Sequence, residues 1–278
     1  MKTRVAISLG SSFLGYATHA GFMNRLHDLG IRPVAVGGSS AGAITAGLYA
    51  AGLAPDVIRK AVLDHRFRRS FVRRTPWLTH YIRNTFYEPD MGAFKTDGAV
   101  EYLKKLVGER DIESLTQPRY MAAVSNLQTA TTHFIQSGPL ARIMVASCCI
   151  PTVFAPIRHQ DMMCYDGGVA HEAPIDPWLE DEGIDVIVVH RVTHTASPAP
   201  RIFPFNMFHL AAKAHECASE QLQRYRLKLA EMHGKKVLER RTVHSRPTTF
   251  SGREMPNYFA AGEAQAQELF DTELKHLP

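Results

Sequence analysis

One serine of this chain stands in a setting that favours nucleophilic chemistry. Ser40 is the central residue of G-S-S-A-G at positions 38–42, directly after the apolar run Val34–Val36. A G-x-S-x-G turn between a strand and a helix holds its serine at a sharp bend with the hydroxyl exposed. Small flanking residues suit this bend because backbone approaches backbone there. The pattern predicts Ser40 as a nucleophile, and a tight turn without chemistry is the simpler alternative.

A serine hydroxyl is a poor nucleophile at neutral pH and needs a general base. Asp166 is the candidate, within Y-D-G-G at positions 165–168, where two glycines allow a tight turn. A carboxylate with a pKa of about 4 is ionised at pH 7, but it is roughly two pKa units less basic than histidine. A Ser-Asp pair therefore depends strongly on hydrogen-bond donors to the oxyanion that forms on attack.

A Ser-His-Asp triad is the competing arrangement, and it would place both the acid and the histidine after the serine. The chain contains 14 histidines. The candidates that follow Ser40 include five that stand in no distinctive sequence setting: His159, His171, His190, His194 and His209. The residues alone leave the triad open.

The opening of the chain alternates strands and helices. The hydrophobic pattern predicts strands over Val5–Leu9 and Val34–Gly37. Each strand is followed by a helix, over Tyr16–Leu29 and Ser40–Ala51 respectively. Successive β-α units build a parallel sheet covered by helices on both faces. Ligands bind beyond the carboxyl ends of such strands. The loop that starts at Gly10 should therefore lie at the same edge as Ser40.

Further elements extend this pattern to the end of the chain. We predict a strand pair over Met121–Leu127 and Thr131–Gln136, a helix over Pro139–Cys148 and a strand over Val186–His190. A long helix over Phe205–His233, short strand-like pieces and a closing helix over Ala260–Leu274 follow. A length of 278 residues suits one large α/β domain. We expect a three-layer α/β/α domain over 1–278 with a mainly parallel sheet, core motifs within 3–190 and a helical and short-strand extension over 200–278.

The composition is ordinary for a globular protein, with 45% hydrophobic and 21% charged residues. No apolar run reaches the roughly 18 residues of a membrane-spanning helix. The first residues mimic a signal peptide, but Gly10-Ser11-Ser12 interrupts the apolar stretch, so we interpret it as strand and loop. The four cysteines lack C-x-x-C spacing, which favours reduced thiols and a cytoplasmic location.

A net charge of +5 mildly favours anionic partners. The segment Arg66–Tyr87 interleaves arginines with aromatic residues. It is either a helical excursion whose aromatic rings pack on the domain or a lip that contacts the anionic head groups of a membrane. Stacking on nucleic acid is a weaker third interpretation, and we expect no nucleic-acid partner.

Nucleotide and metal chemistry are both disfavoured. Gly10 and Gly15 are spaced as in a phosphate-binding loop, yet Tyr16 and Ala17 stand where such a loop needs Lys and Ser or Thr. The sequence contains neither H-E-x-x-H nor paired Cys/His spacing. We therefore expect no cofactor and no metal.

Three segments together resemble the patatin-like phospholipase family: G-S-S-F-L-G at 10–15, the Ser40 pentapeptide, and D-G-G at 166–168. In order and spacing they are similar to that family's glycine-rich oxyanion loop, nucleophile turn and catalytic aspartate. The flanking stretches at 146–156, 174–177 and 262–264 resemble the family as well. The resemblance covers residues 3–190 well and the remainder loosely.

This resemblance implies an acyl-enzyme mechanism without histidine. Ser40 would be acylated, Asp166 would take its proton, and backbone N–H groups around Gly10, Ser11 and Ser12 would hold the oxyanion. The chain departs from the family's usual G-G-G-x-R/K-G by its serines at 11 and 12 and by Leu14 at the basic position. A serine held at positive φ there would strain the loop by about 1–2 kcal/mol.

The function expected from the resemblance is serine-dependent hydrolysis of carboxylic esters, with phospholipid, lysophospholipid or a small acyl ester as substrate. The altered first loop motivates an alternative, a catalytically weak or inactive patatin-like protein that binds anionic membrane surfaces. In both cases we expect a cytoplasmic protein with peripheral membrane contact through Arg66–Tyr87.

Overall fold

The computed structural model describes residues 3–72, 92–195, 205–245 and 252–277, with the backbone alone for 205–209. Within these ranges eight strands form one sheet: β1 (Val5–Leu9), β2 (Ala35–Gly38), β3 (Arg119–Asn126), β4 (Thr131–Ile135), β5 (Ile157–His159), β6 (Met162–Asp166), β7 (Val186–His194) and β8 (Lys236–His244). The α-helices of the same ranges are α1 (Tyr16–Asp28), α2 (Ala41–Ala50), α3 (Pro55–Leu63), α4 (His65–Ser70), α5 (Asp97–Val107), α6 (Leu140–Ala146), α7 (Phe205–Met232) and α8 (Met255–Thr272).

The centre of the sheet is parallel. Neighbouring strands follow the order β3-β2-β1-β7-β8, and each of these pairs is parallel. β4 and β6 pair with β3 in the antiparallel sense, and β5 forms a hairpin with β6. At the end of β3, Val124 lies opposite Asp166. The predicted α/β fold with a mainly parallel central sheet is confirmed, and β6 brings Asp166 to the edge where β2 ends.

Alternation along β1 explains why both faces of the sheet are covered. Val5, Ile7 and Leu9 belong to a large core cluster shared with α1, α2, α6 and α8. Ala6 points to the opposite face, into a smaller cluster that includes Ala230 of α7. Successive side chains of a strand point to opposite faces. The sheet therefore lies between two helical layers.

α1 and α8 cross with their backbones in contact. A Cβ atom built on Gly21 would lie 1.9 Å from the carbonyl oxygen of Phe259, and one on Gly262 would lie 1.9 Å from the carbonyl oxygen of Thr18. Neither position accepts a side chain without moving a helix. This crossing anchors the C-terminal helix on α1, directly behind the loop that starts at Gly10.

Some predicted bounds differ from the structure. α8 begins at Met255 instead of Ala260, because Pro256 in its first turn favours the helical φ and needs no N–H partner. β7 continues beyond His190 to His194, since its last residues pair with β8. The short strand-like pieces after α7 include one nine-residue strand, β8, at the edge of the parallel sheet. The β5–β6 hairpin was not predicted.

Most of the arginine and aromatic segment Arg66–Tyr87 lies outside the described residues, which stop at 72 and resume at 92. In the described part, Phe67 is buried and its ring packs edge-on against Tyr16 at 4.9 Å. Arg66 and Arg69 are exposed. The first aromatic residue of the segment therefore belongs to the core.

Among the described helices, none combines the length and the apolar character that crossing a membrane requires. All four cysteines are free thiols. Cys148, Cys149 and Cys164 are buried, and Cys217 is exposed on α7.

Candidate active site

Ser40 lies at the sharp junction between β2 and α2. It is the N-cap of α2, with φ 53° and ψ −120°. Such a conformation costs a non-glycine residue on the order of 1–3 kcal/mol and persists only where the surroundings impose it. Here the Ser40 N–H donates to Ser147 Oγ at 2.9 Å, and that hydroxyl donates to the carbonyl of Ala123 at 2.7 Å. The turn is thus tied through Ser147 to β3.

Gly42 allows α2 to approach the end of β1. A Cβ atom on Gly42 would lie 2.0 Å from the carbonyl oxygen of Leu9, whereas one on Gly10 would meet nothing closer than 3.4 Å. We expect Gly42→Ala to lower the free energy of unfolding by about 1–3 kcal/mol, because the added methyl group overpacks the junction. Gly10→Ala, at the same edge, is the control and should cost clearly less. Equal losses in urea denaturation would contradict this explanation.

Asp166 is the last residue of β6, and its backbone is tied to the same segment as Ser40. The Asp166 N–H donates to the carbonyl of Cys149 at 2.9 Å, and the Gly167 N–H donates to the carbonyl of Ser147 at 3.3 Å. The turn that follows α6 therefore contacts both candidate catalytic residues and sets their separation.

The Asp166 carboxyl group is only 4% exposed. Burial raises its pKa from 3.8 to about 6, although the Ser40 side chain and the Gly168 N–H oppose the rise. Gly168 N–H donates to Oδ1 at 2.7 Å. Oδ2 is buried and has no hydrogen-bond partner among the described residues. The Ser40 side chain is a polar neighbour of this carboxyl group, and Oδ2 is the oxygen left to accept its proton.

The loop that starts at Gly10 is held against this edge by its backbone. The Gly10 N–H donates to the carbonyl of His190 at 2.9 Å, and the Ser11 N–H donates to the carbonyl of Glu172 at 2.7 Å. Within the described part of the chain, the Ser12 N–H has no such acceptor. The expectation for Gly10 and Ser11 as oxyanion donors therefore needs correction, because carbonyl groups already occupy both amides.

The strain expected at the two serines of this loop falls elsewhere. Leu14 has φ 55°, while neither Ser11 nor Ser12 has a positive φ. Leu14 occupies the position where the resemblance leads one to expect a basic residue, and its side chain packs against the large core cluster. The turn is therefore closed by a strained leucine.

A cavity of about 90 Å³ opens on Ser40. Its lining within the described residues is mostly apolar and consists of Ser12, Phe13, Leu14, Tyr16, Ser40, Ala41, Ile44, Arg68, Phe71, Val72, Cys148, Ile150 and Phe154. A larger, more polar cavity of about 250 Å³ lies on the other side of Ser12 and Phe13, and Ser40 does not line it. The smaller cavity is the candidate site because it contains the nucleophile.

None of the described histidines lines the cavity at Ser40. His171 pairs with Asp176 at 3.2 Å, and His190 is fully buried. His194 lies 3.3 Å from the Ser12 hydroxyl, and His159 is buried in β5. Only the backbone is described at His209. No described histidine lines this cavity to serve the competing triad, whereas the Asp166 carboxyl lies beside Ser40.

Sequence reasoning missed Ser147, although it lies in the 146–156 stretch that carries part of the resemblance. Its side chain holds Ser40 and its carbonyl holds Gly167. The available signal was the small residue placed directly after an apolar helix.

Comparison with known proteins covers the region that contains both candidate catalytic residues. The model of the family described as patatin-like phospholipase matches residues 7–179, which include Ser40 and Asp166. The chain belongs to the patatin-like phospholipase family. Uncharacterised NTE family proteins of Mycobacterium bovis and Mycobacterium tuberculosis are 31% identical to it over 178 residues, which cover 63% of this chain and 45% of theirs. The chain spans about half the length of these curated relatives.

The crystal structure of VipD from Legionella pneumophila has a similar fold. Its TM-score is 0.52 at 16% sequence identity, and the match covers 98% of this chain and 67% of that chain. At this identity the likeness concerns the fold alone. In this patatin-like protein Ser40 and the buried Asp166 lie within the region that the family model matches. The elements β7, α7 and β8 lie beyond that region.

Proposed function

We propose that this chain is a serine-dependent hydrolase of carboxylic esters that acts on lipid acyl groups, with Ser40 as nucleophile and Asp166 as base. One observation carries the proposal. A serine strained at a helix N-terminus lies beside a buried carboxylate whose Oδ2 has no other partner among the described residues. Membership of the patatin-like phospholipase family supports the substrate class.

The proposed reaction has two halves. Ser40 Oγ attacks the acyl carbonyl carbon while Asp166 takes the hydroxyl proton, and the tetrahedral intermediate then expels the alcohol, which leaves with that proton. Asp166 next takes a proton from water, which attacks the acyl-serine. The carboxylic acid departs as Ser40 regains its proton. Oδ2 suits this proton transfer because it has no hydrogen-bond partner among the described residues that would have to be released first.

Five amides support oxyanion binding in place of those at Gly10 and Ser11. The N–H groups without an acceptor in the described part of the chain, on residues that line the Ser40 cavity, belong to Ser12, Phe13, Leu14, Tyr16 and Ala41. Ala41 is the first residue of α2, so the positive end of the helix dipole also stabilises a negative charge placed at its N–H group. A fixed donor of this kind contributes about 10²–10³-fold to kcat.

The apolar cavity at Ser40 suits the first carbons of an acyl chain. Its volume of about 90 Å³ is smaller than the roughly 150 Å³ of an engineered cavity that binds benzene. We expect short-chain p-nitrophenyl esters to be turned over faster than long-chain ones. Phe154→Ala should enlarge the cavity and move the optimum to longer chains, whereas Val153→Ala should not, because Val153 does not line it.

A chain-length series with wild-type protein, Phe154→Ala and Val153→Ala checks this assignment by kcat/KM. An unchanged optimum in Phe154→Ala would place the acyl chain elsewhere. Absence of turnover with every ester, together with sedimentation on anionic vesicles, would replace the proposal by the alternative of an inactive membrane-binding protein. The exposed Arg66 and Arg69 would then carry the proposed peripheral contact.

The raised pKa of Asp166 predicts the pH dependence of turnover. Only the carboxylate can accept the Ser40 proton, and burial raises its pKa to about 6. Activity should therefore fall about tenfold per pH unit below pH 6 and reach a plateau above pH 7. A kcat/KM profile that falls only below about pH 4 would show that the base is not a buried carboxyl group with a raised pKa.

A further inference from the structure

Two buried imidazoles lie directly behind the loop that starts at Gly10. His19 on α1 and His190 on β7 are both fully buried, and their Nδ1 atoms are 2.9 Å apart. His19 Nε2 lies 2.9 Å from the carbonyl oxygen of Gly10, and His190 Nε2 lies 2.9 Å from Thr242 Oγ1 on β8. Phe22 stacks on the His190 ring with a centroid separation of 3.9 Å. Three hydrogen bonds thus connect β8 to the loop.

One proton arrangement satisfies all three contacts when both rings are neutral. Gly10 offers only an acceptor, so His19 carries its proton on Nε2 and its Nδ1 accepts. His190 must then donate from Nδ1, and its Nε2 accepts from the Thr242 hydroxyl. Burial lowers the pKa of His19 to about 3 and that of His190 well below its usual range, so both rings are neutral.

This row of side chains fixes a single peptide group at both ends. The carbonyl of the Gly10–Ser11 peptide accepts from His19, and its N–H donates to the carbonyl of Glu172. The preceding amide, the Gly10 N–H, donates to the backbone of His190. The peptide therefore cannot rotate without breaking hydrogen bonds in the interior. The first amide left without an acceptor, among the described residues, is that of Ser12.

We propose that His19, backed by His190 and Thr242, is a positioning residue that clamps the Gly10–Ser11 peptide and so aims the Ser12 and Phe13 amides into the cavity at Ser40. The kinetic part of this inference rests on the proposed function. The structural part stands on the three hydrogen bonds alone, because they fix the loop whether or not the chain turns over an ester.

Two substitutions at His19 separate its donor from its acceptor. His19→Gln keeps an N–H group the same number of bonds from Cβ as Nε2, so it can still donate to Gly10. His19→Asn carries its amide oxygen and nitrogen only two bonds from Cβ, as far as Nδ1, so its N–H group is too short to reach Gly10 and the donor there is lost. Both variants remove the ring from the core. We expect similar losses of thermal stability in the two, which controls for packing.

For short-chain p-nitrophenyl esters, His19→Asn should lower kcat about 10–100-fold with KM within about threefold of wild type, since misplaced oxyanion donors weaken transition-state binding. His19→Gln should stay within about threefold of wild type in kcat. Equal kcat losses in both variants, or a loss expressed in KM, would overturn the positioning role.

Nuclear magnetic resonance of protein carrying ¹⁵N-labelled histidine tests the row without any substrate. We expect a proton on His19 Nε2, a proton on His190 Nδ1, and a scalar coupling between the two Nδ1 nitrogens. The amide signals of Ser12 and Phe13 should shift in His19→Asn and return in His19→Gln. A missing coupling or unmoved amides would overturn the clamp, whereas a normal spectrum with no turnover in wild type would overturn only the proposed function.

Discussion

Ser40→Ala is expected to lower kcat for ester hydrolysis by about 10⁶-fold, because no other hydroxyl replaces the nucleophile at the turn. The fold should be unaffected. The Ser40 side chain adjoins Asp166 and Cys148, so the variant loses contacts at the proposed site alone, and alanine meets the same strain at φ 53° as serine. The Ser40 N–H keeps its bond to Ser147 in the variant. Steady-state turnover of a short-chain ester measures the effect.

Ser39→Ala is the matched control for a disturbance of the turn. Its hydroxyl donates to the carbonyl of His171, and Ser39 does not line the cavity at Ser40. Loss of that contact should reduce stability while leaving most of the activity. Residual activity of Ser40→Ala above about 1% of wild type, or equal losses in the two variants, would remove Ser40 from the role of nucleophile.

Asp166→Asn should lower kcat by about 10³–10⁴-fold, since a positioned general base contributes on this scale and an amide cannot take a proton at neutral pH. Asparagine preserves the shape of the side chain. Its oxygen can still accept from the Gly168 N–H, and its nitrogen would face Ser40. Activity close to wild type would indicate another base, and the histidines would have to be considered again.

The same variant has an expected effect on stability that runs opposite to its effect on activity. The folded pKa of Asp166, about 6, lies above its unfolded value of 3.8, so the folded protein holds the proton more tightly. Wild type therefore loses stability as the pH rises from about 4 to 6, by an amount on the order of 3 kcal/mol. Asp166→Asn avoids this loss.

Thermal unfolding of both proteins at pH 4 and pH 8 checks this relation. The variant should gain stability over wild type at pH 8 and much less at pH 4. A variant that is less stable than wild type at pH 8 would show that the ionised carboxylate is compensated by contacts beyond those described. A gain in stability together with a loss of turnover would show that the protein keeps a destabilising buried carboxylate because its activity needs it.

The two candidate catalytic residues could be proposed from the sequence because their requirements are local. A bend of the kind at Ser40 needs the glycines at 38 and 42, and the sequence shows both. Asp166 was found through the two glycines that follow it. The alternation of apolar strands with helices gave the parallel sheet, since the order of β1, α1, β2 and α2 leaves few topologies open.

The arrangement around the first loop was not predictable from local pattern. Which amides remain available depends on carbonyl groups of Glu172 and His190, which lie more than 160 residues away along the chain. Likewise, local pattern did not show that the positive φ of this loop falls on Leu14 and on neither Ser11 nor Ser12. A lone histidine carries no signal for a buried pair, so His19 escaped notice until its partner on β7 was in place.

The most direct test of the central claim is the intact mass of wild type and Ser40→Ala after exposure to a fluorophosphonate ester, followed by peptide mapping. A single adduct on Ser40, formed by wild type and lost in the variant, is the result expected for a serine activated by Asp166. An unlabelled wild type, or an adduct that persists in Ser40→Ala, would contradict the assignment of Ser40 as the nucleophile.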